Sequence, residues 1–365
     1  MLKNKKIMIP LISVLLGLVI GSFLLLITGK NPLILFEVLF EGITGFQTKR
    51  GQLFNIRYTG ELLVSAMPLM LTGLSIAFAY RTGLFNIGAE GQVIMGSLFT
   101  YFVATNLDLP PLIHIPLCFV AGAVGGALWG VIPGILKAYF NIIEVVVGIM
   151  LNYVAMYVSN YIVMNMEGYK NLVSPPINPS ASLRVPWLTD LFGGSRFHLG
   201  FIIVILGVIT YWFIIEKTTY GYNLRATGFN KDGAEYAGLK VNRNIISSMA
   251  IAGAYSGLAG SVLTLGTFGD VKSLASLASY GFDGIAVALV GNLSGIGIVL
   301  AGLLFGLLGF IPPMLQLRGV PLEIASIIAA LIVFFVAAQR LIEMSLSKLR
   351  EKKLAKNGDK EEGVA

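Results

Sequence analysis

Long apolar runs, separated by shorter polar or charged stretches, dominate the chain. Most of these runs cover 18 residues or more, the length that an α-helix needs to cross the roughly 30 Å hydrocarbon core of a bilayer. The pattern predicts an all-α integral membrane protein, a polytopic helical bundle of about ten transmembrane helices. The expected spans are 7–28, 61–80, 84–105, 109–136, 141–164, 199–215, 244–268, 282–291, 295–311 and 322–338.

Composition supports a membrane protein. Hydrophobic residues make up 56% of the 365 residues and charged residues only 12%, with a mean hydropathy of +0.80. Soluble domains carry about twice that share of charge. The single cysteine, Cys118, excludes an internal disulfide and indicates no metal site. No basic face with interleaved aromatic residues suggests nucleic acid as a partner.

The polar segments predict the connections between spans. A secretory signal peptide also begins with lysines and an apolar run. The run at 7–28 is longer than a signal core and no Ala-x-Ala site follows it, so we expect a retained first span. Segments 30–60 and 167–198 are expected on the external side. The polar break at 291–295 has two interpretations, a tight turn or an unwound point between half-helices that line a transport pathway.

Charge predicts the orientation. With ten crossings, 17 of the 26 lysine and arginine residues fall on the side that also holds both termini. An excess of lysine and arginine marks the cytoplasmic side. We therefore expect a membrane domain at 1–345, with cytoplasmic termini, and a charged cytoplasmic tail at 346–365.

Polar residues enter the third expected span in the stretch GLFNIGAEGQVIMG at 83–96. Asn86 and Glu90 are four residues apart and so share a helix face, with Glu90 about 10 Å inside the span. A mid-membrane carboxylate costs about 2.5–3.5 kcal/mol, so it faces a cavity or a partner. Two interpretations are open: a lining of the solute pathway, or a polar clamp in which Gln92 or a neighbour satisfies Glu90.

The fifth span carries Asn152, and Tyr153, Tyr157 and Tyr161 follow at intervals of four. Such a tyrosine stripe is typical of packing or of a membrane interface. Asparagine beside aromatic rings would also suit a polar, ring-shaped solute.

Small-residue motifs predict close helix packing. Three spans contain glycines at intervals of four, a pattern that lets helices approach closely in membranes. These glycines are Gly122, Gly126 and Gly130 in the fourth span, Gly253 and Gly257 in the seventh, and Gly302 and Gly306 in the ninth.

The loop at 216–243 holds five basic residues against three acidic ones, as expected on the cytoplasmic side. Asn230 and Asp232 are suitable N-cap residues, Asp232 and Glu235 have capping-box spacing, and Gly238 can end a helix. A helix of about two turns is unstable alone, so it needs a partner surface. The alternative is an ordinary solvated loop.

Catalytic signatures are missing from the sequence. It contains no G-x-x-x-x-G-K-[ST] phosphate loop, so the chain is not expected to hydrolyse ATP. It also contains no H-E-x-x-H, G-x-S-x-G or CxxC motif.

Four stretches carry a resemblance to a known family: 83–96, EVVVGIMLNY at 144–153, GYNLRATGFNKDGAEYAG at 221–238, and YGFDGIAVALVGN at 280–292. The chain resembles the permease subunits of bacterial ABC importers of the branched-chain amino acid, ribose and simple-sugar type. It is most similar to the nucleoside (guanosine-type) branch.

The resemblance implies a multi-pass permease of the bacterial cell membrane that imports nucleosides by alternating access and needs no cofactor. It implies an ABC ATPase, a second homologous permease and a substrate-binding lipoprotein as partners, with the short loop helix as the coupling helix. The expected pathway residues are Asn86, Glu90, Gln92, Asn152 and Tyr153. The expected coupling residues are Arg225, Gly228, Asp232, Ala234, Glu235, Ala237 and Gly238.

Two other functions compete with this interpretation. An ion-coupled secondary transporter would need several buried ionisable groups that form a relay, whereas the spans contain chiefly Glu90, with Glu144 near a span end. An intramembrane enzyme would need paired catalytic residues, which the spans do not offer.

Overall fold

The computed structural model describes residues 2–46 and 54–338, and within these residues all regular structure is helical apart from isolated bridges. The expected tail at 346–365 lies outside the described residues. The helices are α1 (Leu2–Ile27), α2 (Leu33–Thr44), α3 (Arg57–Arg81), α4 (Ala89–Asn106), α5 (Pro111–Phe140), α6 (Glu144–Met164), α7 (Pro186–Leu191), α8 (Gly200–Lys217), α9 (Thr219–Phe229), α10 (Lys231–Tyr236), α11 (Val241–Val262), α12 (Tyr280–Val290), α13 (Gly295–Leu317) and α14 (Leu322–Ala337). A π-helical segment, Leu263–Phe268, continues α11.

Each of the ten predicted apolar runs contains a helix, but not every helix is long enough to cross a membrane. Within the described residues, six helical stretches meet that standard of length and apolarity: α3, α5, α6, α8, α11 with its π-helical continuation, and α13. Shorter apolar helices occupy Ile12–Ile27, Tyr280–Val290 and Leu322–Phe335. The all-helical class is therefore confirmed, and the number of ten crossings stays a prediction.

The chain forms two compact units. The smaller comprises the described residues up to Phe40 and those from Ile311 onward, and the larger comprises Glu41–Phe310. In the smaller unit α1 packs on α14, where a Cβ added at Gly17 would lie 2.7 Å from the Cα of Ile332. All predicted site residues belong to the larger unit.

Helix α11 is central to the larger unit, where it packs against α3, α4 and α5. The predicted glycine faces meet at the α5–α11 crossing. A Cβ added at Gly257 would lie 2.1 Å from the carbonyl oxygen of Gly122, and one added at Gly126 would lie 2.2 Å from that of Gly253. Backbone therefore packs directly on backbone, and the predicted packing role of these glycines is confirmed.

The glycines of α13 also lie at a close helix contact, where their neighbours are residues of α3. A Cβ added at Gly306 would lie 2.8 Å from the Cβ of Ala66, and one added at Gly302 would lie 2.4 Å from the Cγ of Met70.

The break at 291–295 is a tight turn. Asn292 and Leu293 adopt left-handed conformations, with φ of 50° and 56°, and join α12 to α13. Helix α12 has only 11 residues, or about 16 Å of rise, which is roughly half the thickness of the bilayer core. The unwound backbone lies before α12, at 269–279, where it borders the site described below.

Candidate functional site

The start of α4 is irregular. Residues 84–88 are not helical, so α4 begins at Ala89 and Glu90 stands in its first turn. The shared helix face of Asn86 and Glu90 is therefore wrong, and the depth of Glu90 in the membrane stays a prediction. The expectation assumed a helix from Leu84 onward, whereas Gly83 has a φ of 75° and interrupts the helical path.

Side chains of α6 satisfy the backbone groups that this irregular start leaves free. Asn152 accepts a hydrogen bond from the Gly91 N–H at 2.7 Å and donates one to the Ile87 carbonyl at 3.0 Å. Glu144 pairs with Lys137 at 3.0 Å and accepts the Phe85 N–H at 3.4 Å. Asn152 therefore holds the start of α4 in position through both ends of its amide.

Asn86 and Gln92 bind each other. Asn86 donates to Gln92 Oε1 at 2.8 Å, and Gln92 donates to Asn86 Oδ1 at 3.1 Å. Asn86 also donates to the Ser75 hydroxyl, which accepts from Ser256. Both amides are buried, and this network ties the start of α4 to α3 and α11.

The Glu90 carboxylate joins α4 to the start of α12. It accepts the Ala278 N–H at 3.0 Å through Oε1 and the Gly281 N–H at 2.6 Å through Oε2. The first N–H groups of a helix have no partner within the helix, and a carboxylate is a favourable acceptor for them. Glu90 therefore acts as the expected polar clamp, although its partners are Ala278 and Gly281 rather than Gln92. It also lines a cavity.

This cavity has a volume of about 220 Å³ and lies between α4, α6, the end of α11 and the segment before α12. Its wall is largely apolar. The polar residues that line it are Glu90, Ser97, Ser159, Thr264, Asp270 and Lys272, and the aromatic residues are Phe268 and Tyr280. Among the expected pathway residues, only Glu90 lines this cavity.

Two polar atoms at the cavity have no hydrogen-bond partner among the residues that the structure describes. These are Ser159 Oγ on α6 and Asp270 Oδ1 after the π-helical segment. The Lys272 ammonium lies 4.2 Å from the centroid of the Phe268 ring. Sequence reasoning missed these residues. Ser159 looks ordinary within an apolar span, although an acidic residue directly after the seventh span was a usable signal for Asp270.

Tyr153 lies elsewhere. Its side chain is half exposed, and Tyr157 and Tyr161 share that exposed face of α6. The structure therefore separates Tyr153 from Glu90 and from the Asn86–Gln92 pair, and Tyr153 stays a prediction as a pathway residue.

The backbone of the cavity wall is secured from the segment before α8. Arg184 donates to the carbonyl oxygens of Gly266 at 2.7 Å and of Thr267, both in the π-helical segment. His198 is buried beside them, and its Nδ1 accepts the Gly200 N–H at 3.1 Å. Burial, with the charges of Arg184 and Arg196, lowers the pKa of His198 from 6.5 to about 4. This imidazole is therefore neutral at pH 7.

The charged loop consists largely of two helices, α9 and α10, of which α9 was expected as loop. Glu216 accepts hydrogen bonds from Arg81 at the end of α3 and from Arg225 on α9, the latter at 3.1 Å. Arg225 also donates to the Ile215 carbonyl. The expected coupling residue Arg225 is thus engaged within its own chain.

Helix α10 begins and ends at two of the expected residues, whereas Asp232 lies in its first turn, so the expected capping-box role of Asp232 with Glu235 is wrong. Asn230 is the N-cap and accepts the Gly233 N–H at 3.0 Å, and Gly238 follows the helix with a φ of 81°. Ala234 is buried among apolar residues of α3 and α11, so it anchors the helix to its own chain. Asp232, Glu235, Ala237 and Gly238 are exposed.

Two aromatic side chains flank α10 in the open. Phe229 is 94% exposed and Tyr236 is 96% exposed. Exposed aromatics of this kind are enriched at protein interfaces. Sequence reasoning named neither residue, although aromatic residues at both ends of a charged helix were a visible signal. We call Phe229, Asp232, Glu235, Tyr236, Ala237 and Gly238 the α10 surface.

Gly228, also expected in coupling, packs inside the chain. A Cβ added there would lie 2.7 Å from the backbone nitrogen of Gly83. The end of α9 therefore rests directly on the backbone that leads into the irregular start of α4. Among the described residues, no group of three histidine, cysteine, aspartate or glutamate side chains is arranged to hold a metal ion.

Comparison with known proteins gives consistent matches. The family model described as branched-chain amino acid transport system, permease component, matches residues 58–337. A guanosine ABC transporter permease protein of Bacillus subtilis is 42% identical over 94% of this chain and 97% of its own. A nucleoside ABC transporter permease protein of Lactococcus lactis is 37% identical over 95% of both chains.

A glucose ABC transporter permease protein of Haloferax volcanii is 30% identical over 89% of this chain and 86% of its own. A second guanosine permease of B. subtilis and a second nucleoside permease of L. lactis are also among the relatives. No solved structure matches the chain.

Proposed function

The chain belongs to the family of permease components of branched-chain amino acid transport systems, and from this premise we propose that it forms the membrane pathway of an ATP-driven nucleoside importer. Support for the solute comes from relatives named as guanosine and nucleoside permeases, with 42% and 37% identity over nearly the whole chain. As a permease component it is a transport subunit rather than an enzyme.

In the proposed arrangement ten helices cross the bacterial cell membrane and both termini lie in the cytoplasm. The charge bias of the sequence supports this orientation. The ion pair between Arg81 and Glu216 supports this arrangement, because it joins the end of α3 to the end of α8, which leads into the charged loop. Helix α12 and the unwound segment before it, 269–279, would cross the membrane together.

The α10 surface is the proposed docking site of an ABC ATPase. It combines exposed aromatic side chains with carboxylates, and α10 is fixed to its own chain through Ala234. Aromatic anchors carry a large share of the binding energy at protein interfaces. Cationic residues on the ATPase would complement Asp232 and Glu235.

Movement of the docked loop has a direct route to the solute cavity. Gly228 rests on Gly83, which precedes the irregular start of α4. That start is held by the Asn86–Gln92 pair and leads to Glu90, the clamp on α12. We infer that ATP-driven closure of the ATPases shifts these contacts and exposes the cavity to the two sides of the membrane in turn.

The proposed complex includes a second, homologous permease and a substrate-binding lipoprotein that delivers the solute. The relatives support a second permease, because two permeases of B. subtilis and two of L. lactis occur among them. The exposed face of α6 with Tyr153, Tyr157 and Tyr161 is available for the second permease or for lipid.

The agreement with the guanosine permease over nearly the full length carries this proposal, and an uptake assay tests it. Radiolabelled guanosine is supplied to cells that lack their own nucleoside uptake and express this chain with its ATPase, second permease and lipoprotein. We expect uptake that requires this chain, stops on ATP depletion and resists excess unlabelled glucose.

Two outcomes would contradict the proposal. Uptake of labelled glucose in place of guanosine would reassign the solute. Uptake that survives ATP depletion but is abolished by an ionophore would indicate an ion-coupled secondary transporter.

A further inference from the structure

The cavity beside Glu90 has the size of a binding site for a small solute. Its volume of about 220 Å³ is several times the roughly 30 Å³ that one water molecule occupies in the liquid. Pockets for drug-sized ligands begin at about 300 Å³. The cavity therefore suits a solute of one or two rings better than a peptide or a lipid.

Two unpartnered acceptors distinguish this cavity from an ordinary packing defect. Ser159 is 1% exposed, yet neither its Oγ nor the buried Oδ1 of Asp270 has a hydrogen-bond partner within residues 2–46 and 54–338. A buried polar atom without a partner is destabilising, so native proteins rarely leave one unsatisfied. Because both residues line the same cavity, a ligand with hydroxyl groups would satisfy them together.

The aromatic residues add a second kind of recognition. Phe268 and Tyr280 line the cavity with these acceptors. Flat heterocycles stack favourably on aromatic side chains. A ligand that carries both a flat ring and adjacent hydroxyl groups would therefore use both features.

Charge narrows the ligand class further. Glu90 and Asp270 bring two carboxyl groups to the cavity, against the single ammonium of Lys272, which already lies over the Phe268 ring. Like charges repel strongly at sites removed from water. This balance favours a neutral solute over a phosphorylated one.

We propose that this cavity is the nucleoside-binding subsite of the permease. Asp270 Oδ1 and Ser159 Oγ bind the ribose hydroxyl groups, and the base lies against Phe268 and Tyr280. The inference rests on the proposed function and assigns its solute contacts to named residues, none of which lies on the Asn86–Gln92 network.

The test combines a change in the protein with a change in the ligand. Uptake efficiency, kcat/KM, is measured for guanosine and for 2′,3′-dideoxyguanosine with the full importer in proteoliposomes, for wild type and Asp270→Ala. A hydrogen bond to a charged group is worth about 1.5–3 kcal/mol, or roughly 10- to 100-fold. We expect wild type to prefer guanosine by at least about tenfold, and Asp270→Ala to reduce that preference to less than about threefold.

Partner subunits are unchanged in all four measurements, so their own preference for the ribose hydroxyls cancels in the comparison. Asp190→Ala is the matched control, because Asp190 is exposed on α7 away from the cavity, and it should keep the full preference. Ser159→Ala is a second, independent test. It removes an oxygen that has no hydrogen-bond partner in the described part of the chain, so we expect this variant to fold.

The outcomes separate this inference from the proposed function. If Asp270→Ala and Ser159→Ala both transport guanosine with the full wild-type preference over the dideoxy compound, the cavity is not the subsite, although the importer still carries nucleosides. If Asp270→Ala does not fold, the result for Ser159→Ala decides alone. If wild type transports neither compound, the proposed function itself fails.

Discussion

The Glu90 carboxylate on α4 accepts the backbone N–H of Gly281 at 2.6 Å, across 191 residues of sequence. The contact is possible because Gly281 has no side chain: a Cβ there would lie 2.3 Å from the Glu90 backbone nitrogen. A single buried carboxylate thus fixes the start of a half-length helix at the edge of the cavity.

Replacing Glu90 by Gln should impair uptake. A neutral carboxamide offers one acceptor oxygen where two backbone N–H groups now bind two carboxylate oxygens, so one N–H group loses its partner, at about 1–3 kcal/mol. We expect at least about a tenfold loss of uptake with normal membrane insertion. Hydrogen exchange should show faster exchange at the amides of Ala278 and Gly281.

The matched control is Glu41→Gln in α2, outside the cavity. Unchanged uptake kinetics in Glu90→Gln would leave Glu90 as a packing residue.

Changing the α10 surface should uncouple transport from ATP hydrolysis. In the double variant Glu235→Lys and Gly238→Trp, one carboxylate is reversed and one bulky side chain is added to the exposed surface. Nothing lies within 4 Å of a Cβ added at Gly238, although a side chain in its left-handed conformation costs about 1–2 kcal/mol. We therefore expect normal insertion, but at least about tenfold less uptake per ATP hydrolysed.

Asp108→Lys is the control for that experiment, because Asp108 is an exposed carboxylate in the connection between α4 and α5. It should couple as wild type does. Wild-type coupling in the double variant as well would reject the docking role of α10. A parallel pull-down with Phe229→Ala and Tyr236→Ala should show weaker association with the ATPase.

The stability of the protein should depend on the protonation of His198. Its pKa is lowered to about 4 in the folded protein and is about 6.5 in the unfolded chain, so the unfolded state binds more protons between these values. The contribution of His198 to the free energy of unfolding is therefore fully present above pH 6.5. It decreases as the pH falls toward 4, by roughly 3 kcal/mol in total.

Thermal unfolding of the purified protein at several pH values checks this dependence. In His198→Asn an amide oxygen replaces Nδ1 as the acceptor for the Gly200 N–H. The variant should therefore lose less stability than wild type between pH 6.5 and 4. Identical pH profiles for the two proteins would show that His198 does not contribute.

Adding a methyl group at the α5–α11 crossing should destabilise the fold. In Gly257→Ala the new Cβ would lie 2.1 Å from the Gly122 carbonyl oxygen, so the two helices must separate. Such overpacking costs about 1–3 kcal/mol. Gly309→Ala is the matched control, because nothing lies within 4 Å of a Cβ at that position in α13. Only the first variant should lower the unfolding temperature; equal effects would reject this crossing as a tightly packed contact.

Sequence periodicity located the helices well, because burial of apolar residues in lipid or protein depends on local composition. It also located the helix ends that local chemistry defines, such as the Asn230 cap and the turn at Gly238. It failed at the start of α4. A helix was expected from Leu84 onward, whereas the structure has a non-helical segment there, which Asn152 of α6 holds in place. The local sequence does not show that these backbone groups bond to a side chain of another helix.

The candidate site was likewise predictable from the sequence only in part. Glu90 stood out because a carboxylate in an apolar run is costly, and its unusual environment was therefore predictable. Its partners at Ala278 and Gly281 were not, since backbone N–H groups have no residue-specific signature. The free oxygens of Ser159 and Asp270 likewise became visible only when their neighbours were known.

The sequence by itself determined the class of the molecule, the helical segments, the glycine faces and the family, because these depend on local composition and on motifs within short stretches. Only the tertiary structure decided which polar groups satisfy each other and which are left free at a cavity. That selection depends on contacts between distant residues, such as Glu90 and Gly281, 191 positions apart. The hydrogen-bond partner of a buried group is fixed by packing rather than by its neighbours in the chain.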